Sequence, residues 1–221
     1  MNRTFARIVL GLGLSAALFG AASSVMAQTT TTTPPAPAAD APATPAPPDG
    51  ISMGTPDGLP DQTSAAEGQI YLAAQFDAWE QRCVKTADGN DPCQLYQLVK
   101  DDTRNPVAEI IIFILAPGGP AVFGASITAP LETLLTANLR LAIDQNKGKL
   151  YPYSYCTTVG CVAKVGFTAD ELATLKKGKE VDLSIVPAAA PDKVVIAKIS
   201  LKGFSAAYQA IADVAAMPVK K

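Results

Sequence analysis

Short apolar runs rich in β-branched residues recur through the chain from about residue 70 onward. Turn signals separate them, such as Asp88-Gly89-Asn90 and Pro117-Gly118-Gly119. Many short strands at this spacing favour a β-sandwich. The pattern predicts strands at 76–84, 94–100, 108–115, 121–127, 139–144, 151–155, 162–167, 181–186 and 194–201.

Two segments have the period of a helix that packs one side against a sheet. In the first, Thr168 and Glu171 form a capping box, and Gly178 is placed to end the helix in the left-handed conformation. The second lies at residues 204–214, and its apolar residues share one face: Phe204, Ala207, Tyr208 and Ile211. The predicted fold class is therefore all-β, with one or two short peripheral helices.

The N-terminal residues have the pattern of an export signal. Two arginines precede an apolar run at 8–19, and Val25 and Ala27 occupy the small-residue positions before a cleavage site. The run is shorter than the roughly 20 residues that span a bilayer. We expect residues 1–27 to be a removed signal peptide, leaving a mature chain without a transmembrane segment, in the periplasm, at the cell surface or secreted.

Residues 28–69 are rich in Thr, Pro and Ala and contain no aromatic residue. Such a segment cannot bury enough apolar area to offset its ordering entropy, and its prolines favour extended conformations. We expect a disordered linker, which is either a spacer or an unselected tail. One domain at 70–213 and a short tail at 214–221 follow.

The net charge argues against nucleic acid as a partner. Loss of the signal peptide removes two arginines and leaves 16 basic against 20 acidic residues, a net charge of −4. A nucleic-acid-binding protein needs a basic stripe that neutralises phosphates. No such stripe is present.

The sequence contains no histidine, which restricts its chemistry. Serine and cysteine nucleophiles activated by imidazole are excluded, as are histidine zinc sites. No glycine-rich phosphate motif is present, and we predict no cofactor. Two converging carboxylates could still hydrolyse a glycan, although turns and strand ends also explain the acids concerned. The candidate pairs are Asp77 with Glu80, Asp101 with Asp102, and Glu132 with Asp144.

The four cysteines are Cys83, Cys93, Cys156 and Cys161. An even number in an exported chain indicates disulfides, and each consecutive pair brackets a turn that would bring two antiparallel strands together. We predict the pairs 83–93 and 156–161. A four-thiolate zinc site and a redox centre remain alternatives, but the C-x9-C and C-x4-C spacings fit both poorly.

Aromatic residues indicate one candidate binding surface. Alternation along a strand would place Tyr151, Tyr153 and Tyr155 on one face, and Trp79 could extend it into a stacking surface for a ligand. The alternative is that this face packs against the core.

Several segments, in this order and spacing, resemble the invasion-associated locus B family of exported bacterial proteins. They are WEQRC at 79–83, CQLYQ at 93–97, APLETLLTANLRLAID at 129–144, YSYCTTVGCVA at 153–163, ELATLKKGKEV at 171–181 and ISLKGFSAAYQAI at 199–211. The resemblance implies an immunoglobulin-like β-sandwich in the periplasm or at the cell surface. It brings no catalytic residues, and the family's name records an association with host-cell entry.

Three functions follow as hypotheses. The first is a non-enzymatic envelope protein that binds an envelope or host-surface macromolecule. The second is a module that binds a glycan or small ligand, and the third is a carboxylate-based glycan hydrolase.

Overall fold

The computed structural model describes residues 58–144 and 146–217. The predicted signal peptide and most of the predicted linker lie outside these residues. The strands are β1 (Ile70–Phe76), β2 (Trp79–Val84), β3 (Cys93–Lys100), β4 (Pro106–Ile114), β5 (Phe123–Ala129), β6 (Leu139–Ile143), β7 (Lys149–Tyr151), β8 (Tyr153–Cys156), β9 (Cys161–Phe167), β10 (Glu180–Ile185) and β11 (Val195–Ser200). The helices are a 3₁₀ helix (Leu135–Ala137), α1 (Ala169–Lys177) and α2 (Phe204–Ala216).

The strands form two antiparallel sheets. The seven-stranded sheet has the order β1-β2-β3-β4-β5-β9-β8, and the four-stranded sheet has the order β11-β10-β6-β7. The chain passes between the sheets after β5, β7 and β9. The predicted all-β sandwich with two short helices is confirmed.

Strand alternation separates the two faces of the seven-stranded sheet. In β2, Trp79, Gln81 and Cys83 are buried, whereas the intervening Glu80 and Arg82 are partly exposed. The buried face, which we call the inner face, joins residues of the second sheet and of both helices in one core. Its members include Leu95, Ile110, Phe123, Leu175, Leu183, Ile199 and Phe204.

Helix α2 packs one side into this core. The predicted apolar face is confirmed, because Phe204, Ala207, Tyr208 and Ile211 are all buried. The helix begins after Gly203, which has a φ of 81°. A Cβ atom at this glycine would collide with the carbonyl oxygen of Phe76. The turn into α2 therefore requires glycine for both conformation and space.

The predicted capping box of α1 is confirmed, with Thr168 and Glu171 each bonding the backbone of the other. The prediction for Gly178 was wrong, because its φ of −73° is extended and not left-handed. A Cβ atom there would lie 2.8 Å from Leu201 and 2.9 Å from Asp144. Close approach of neighbouring segments is what favours glycine at this position.

Two predicted strands were wrong because each divides at a turn. The predicted strand at 76–84 contains the turn between β1 and β2, where Asp77 has a φ of 52°. Aspartate tolerates this left-handed conformation. The predicted strand at 151–155 is interrupted by Pro152, which lacks a backbone N–H. β7 and β8 therefore belong to different sheets.

The packed structure extends beyond both predicted domain boundaries. The Leu72 N–H donates to the carbonyl of Pro60, and the Gly68 N–H donates to the carbonyl of Lys85. The last residues of the predicted linker thus lie against β1 and the end of β2, and α2 continues to Ala216. Neither α-helix in the described part of the chain has the length and apolar character needed to cross a membrane.

Candidate functional site

Both predicted disulfides are confirmed. Cys83 bonds to Cys93 and Cys156 bonds to Cys161, with Cα–Cα distances of 4.1 and 3.9 Å. In each pair the two cysteines are directly opposite on adjacent antiparallel strands. Since all four sulfurs are bonded, they do not form the alternative thiolate zinc site. Residues 58–144 and 146–217 contain no cluster of three potential metal ligands.

Trp79 is not a surface residue, so its assignment to a stacking surface was wrong. Its side chain is fully buried, and its Nε1–H donates to the carbonyl of Ser200 at 2.9 Å. Its ring lies 5.5 Å from that of Phe204. Trp79 thus joins β2, the end of β11 and α2.

The three tyrosines do not share one face, which corrects the predicted binding surface. Tyr151 is half-buried in the four-stranded sheet. A register shift between Tyr153 and Tyr155 places Tyr153 opposite Ala163 on the inner face, and Tyr155 opposite Val162 on the outer face. Burial raises the pKa of Tyr153 to about 12. Of the four predicted residues, only Tyr155 is well exposed, at 49%.

The outer face carries two pairs of a cation and an aromatic ring, and Tyr96 in the first pair was not singled out by the sequence pattern. The guanidinium carbon of Arg82 lies 3.3 Å from the centre of the Tyr96 ring. The ammonium group of Lys164 lies 5.5 Å from the Tyr155 ring. Both are cation–π contacts, and they arise because strand pairing places these residues side by side.

Acids from the three candidate catalytic pairs have structural partners. Asp77 forms an ion pair with Lys202 at 2.9 Å, and Glu80 forms one with Arg82 at 2.7 Å. Hydrogen bonds from neighbouring groups lower the pKa of Asp101 and of Asp144. A general acid needs a raised pKa, and these two carboxyl groups shift in the opposite direction.

A groove of about 740 Å³ lies between the inner face and α2. This volume lies within the range of about 300–1,000 Å³ that is typical of ligand sites. The first hairpin, the 83–93 disulfide loop, the end of β4 and the last turns of α2 surround it. Its apolar walls include Tyr71, Ile114, Ile211, Val214 and Met217.

Gln81 contributes an unpartnered amide to this groove. The residue is only 7% exposed and lines the groove. Its side chain makes no hydrogen bond with any other residue that the structure describes. The Tyr153 hydroxyl is the one fully enclosed side-chain group without a partner among the described residues, so the Gln81 amide is open to the groove and is one group there that can hydrogen-bond a ligand.

Asp91 also lines the groove, and it is the one charged residue among the described lining residues. Its carboxylate accepts hydrogen bonds from the Thr86 N–H at 2.8 Å and from the Tyr71 hydroxyl at 2.7 Å. These bonds hold the pKa of Asp91 at about 2. Burial, aided by this carboxylate, raises the pKa of Tyr71 to about 12. Lys85 lies 3.9 Å away and offsets the charge.

A second inner-face glutamine, Gln97, shows what a partnered amide does in this fold. It is 6% exposed. Its Oε1 accepts from the Ser200 N–H at 2.8 Å, and its Nε2 donates to the Ser200 carbonyl at 3.0 Å. The side chain thereby pairs with the backbone of β11 as a neighbouring strand would. It joins the two sheets at the end of β11.

The fold and the site define a β-sandwich domain with two disulfide-bridged hairpins and a groove beside the first bridge. The sequence model of the Invasion associated locus B (IalB) protein family matches residues 79–212. The chain belongs to this family.

Curated relatives carry the same family name. The chain is 39% identical over 82 residues to an invasion protein B homologue of Brucella abortus (strain 2308), covering 37% of this chain and 47% of the relative. It thus spans about half the length of that relative. Over 154 residues it is 25% identical to invasion protein B of Bartonella bacilliformis, covering 68% of this chain and 80% of the relative.

A crystal structure of invasion associated protein b from Bartonella henselae has the same fold. The TM-score is 0.56 at 23% identity, over 65% of this chain and 97% of that chain. At this identity the likeness concerns the fold alone.

Proposed function

We propose that this protein is exported to the bacterial cell envelope, where it binds another macromolecule through the groove and does not catalyse a reaction. The partner is a component of the envelope or of a host-cell surface. The signal-peptide pattern at residues 1–27 supports export. The two disulfides also support export, because such bonds persist in oxidising compartments outside the cytosol.

The observation that carries the proposal is the groove beside Gln81. Apolar walls around a small number of polar groups are typical of binding sites. A second candidate is the binding of a small ligand, which the groove volume of about 740 Å³ favours.

Site-directed crosslinking in intact cells tests this function. A photo-crosslinking amino acid replaces Ala215, which is exposed and lines the groove. The matched control carries the same amino acid in place of Ala206, which is exposed on α2 but does not line the groove. Irradiation of the producing cells, or of host-cell membranes incubated with the protein, is followed by mass spectrometry.

We expect one recurrent macromolecule attached at position 215 and absent at position 206. A small adduct at position 215 would favour the second candidate. The same products at both positions, or none at position 215 in either setting, would contradict binding through the groove.

A further inference from the structure

We propose that two copies of this chain associate through β11, with the two strands antiparallel and a two-fold axis passing beside Ile196. The contact joins the two four-stranded sheets into one continuous sheet. The inference is independent of the groove, since none of the described residues that line the groove belongs to β11. It rests on the state of the sheet edges, the free backbone groups of β11 and the exposed side chains along it.

The four sheet edges differ in how they are protected from further pairing. β1 is interrupted by a bulge after Leu72, whose N–H already donates to the carbonyl of Pro60. β7 and β8 have three and four residues, and Pro152 separates them. Bulges, short strands and prolines all hinder edge-to-edge pairing. β11 has none of these, because its six residues pair with β10 without a register shift.

The pairing with β10 determines which backbone groups of β11 face the free edge. Ser200 lies opposite Glu180, yet its N–H and carbonyl bond a side chain of the seven-stranded sheet. The Glu180 carbonyl accepts from the Asp144 N–H, on the side away from β11. The two residues are therefore a non-hydrogen-bonded pair. Because the two kinds of pair alternate, Lys198 and Ile196 also direct their backbone groups to the free edge. Neither residue forms a backbone bond with any other described segment.

The extent of the free edge selects one register. Val194 continues the same side where the strand begins, whereas the groups of Ser200 are already bonded. The free run is thus centred on Ile196. A two-fold axis there opposes Ile196 to its copy and Val194 to Lys198 of the second copy. A centre at Ala197 would require the occupied groups of Ser200, and a centre at Lys198 would oppose two like charges.

The exposed side chains along β11 fit the same register. Ile196 is 52% exposed and Val194 is 57% exposed, whereas Ala197 is buried in the core. The register packs Ile196 against its copy and Val194 against the aliphatic stem of Lys198. The Lys198 ammonium group remains paired with Glu180, at 2.7 Å.

A second copy of the chain meets each of these requirements. It presents the same free groups in reverse order, so about six backbone hydrogen bonds form, two for each opposed pair. No like charges lie directly opposite each other. A two-fold contact of this kind closes after two copies and leaves no free β11 edge.

Charge exchange at position 196 tests the register. Analytical ultracentrifugation measures self-association of the full, oxidised chain at concentrations up to about 1 mM, the weak end of measurable binding. Ile196→Lys and Ile196→Glu should each weaken self-association at least tenfold, because residue 196 lies opposite its own copy. An equimolar mixture of the two variants should restore the dimer. This recovery also shows that both variants are folded.

The matched control is Leu150, which is exposed on the same face of the sheet at its opposite edge. Leu150→Lys and Leu150→Glu should associate as the unsubstituted chain does.

Amide hydrogen exchange of the unsubstituted chain tests the backbone pairing without any variant. The N–H groups of Ile196 and Lys198 are free in a single copy, so their exchange should slow as the protein concentration rises. The Ala197 N–H faces β10 and should be protected at every concentration.

Any of three results would overturn the proposal. One is a monomer at every concentration up to about 1 mM. The second is a dimer in which the exchange of the Ile196 and Lys198 amides is unchanged. The third is a mixture of the two charged variants that associates no better than each variant alone.

Discussion

Replacing Gln97 with leucine tests the contact that joins the two sheets. The substitution conserves the size of the side chain but removes both hydrogen bonds to Ser200, at 2.8 and 3.0 Å. The Ser200 carbonyl keeps the Trp79 indole as a donor at 2.9 Å. The Ser200 N–H would lose its partner. β10 cannot replace that partner, because it pairs with the other side of β11.

The expected cost follows from these contacts. A net hydrogen bond contributes about 1 kcal/mol, and a buried donor left without a partner costs about 1–3 kcal/mol. The added apolar area of leucine offsets part of this. We therefore expect Gln97→Leu to lower the free energy of unfolding by about 2–3 kcal/mol.

Urea denaturation, followed by tryptophan fluorescence, measures this change. The matched control is Gln94→Leu, on the same strand but on the outer face. Its effect should stay within about 0.5 kcal/mol, as for most surface substitutions. Equal effects of the two substitutions would refute the assignment of a joining role to Gln97.

A carboxyl group at position 97 provides a second test with a predicted pH dependence. Gln97→Glu keeps an acceptor for the Ser200 N–H, but only the protonated acid can donate to the Ser200 carbonyl. Burial and this bond would raise the pKa of the introduced carboxyl above its unfolded value of about 4.3. The contribution to stability is then present below pH 4 and is lost as the pH rises through the raised pKa. We expect Gln97→Glu to be less stable, relative to the unsubstituted chain, at pH 8 than at pH 4; an unchanged difference would contradict this reasoning.

Three further predictions concern single side chains. Asp91 stabilises the fold above pH 3.8, and this contribution is lost as the pH falls towards its folded pKa of about 2. Asp91→Asn should therefore reduce the loss of unfolding free energy at acid pH, measured by urea titration at a series of pH values. An unaltered pH dependence would contradict this. Tyr71→Phe should lower the free energy of unfolding by about 1.5–3 kcal/mol, because it removes a hydrogen bond to the Asp91 carboxylate. Tyr153→Phe should be neutral or stabilising, because that hydroxyl has no partner among the described residues. The reverse order of the two melting temperatures would refute these hydrogen-bond assignments. Gly203→Ala should cost about 2–4 kcal/mol, because alanine would have to adopt the left-handed backbone conformation and its Cβ would meet the Phe76 carbonyl. A melting temperature within about 2 °C of the unsubstituted chain, on the scale of about 2–4 °C per kcal/mol, would contradict this.

The sequence was most informative where the determining contacts are local. The capping box at Thr168 and Glu171 depends on residues three apart, and α2 shows its buried face in its own periodicity. The cysteine pairing was also predictable, because each pair brackets a single turn and has 10 or 5 residues of separation.

The binding surface was not predictable because distant partners decide it. Trp79 is buried, and it bonds to Ser200, 121 residues along the chain. A register shift after Tyr153 reverses the alternation that would place Tyr155 beside it. The groove brings the first hairpin together with the last turns of α2. No short-range pattern contains these contacts.

The positions of the two disulfides have a consequence for how the chain is made. Each bridge joins cysteines that are consecutive in the sequence, across separations of 10 and 5 residues. During the proposed export, an oxidase that acts on each thiol pair as it emerges from the membrane would therefore produce the native pairing in order. Disulfide isomerisation, which chains with interleaved bridges require, is unnecessary for this one. Its maturation should depend on a thiol oxidase and be independent of an isomerase.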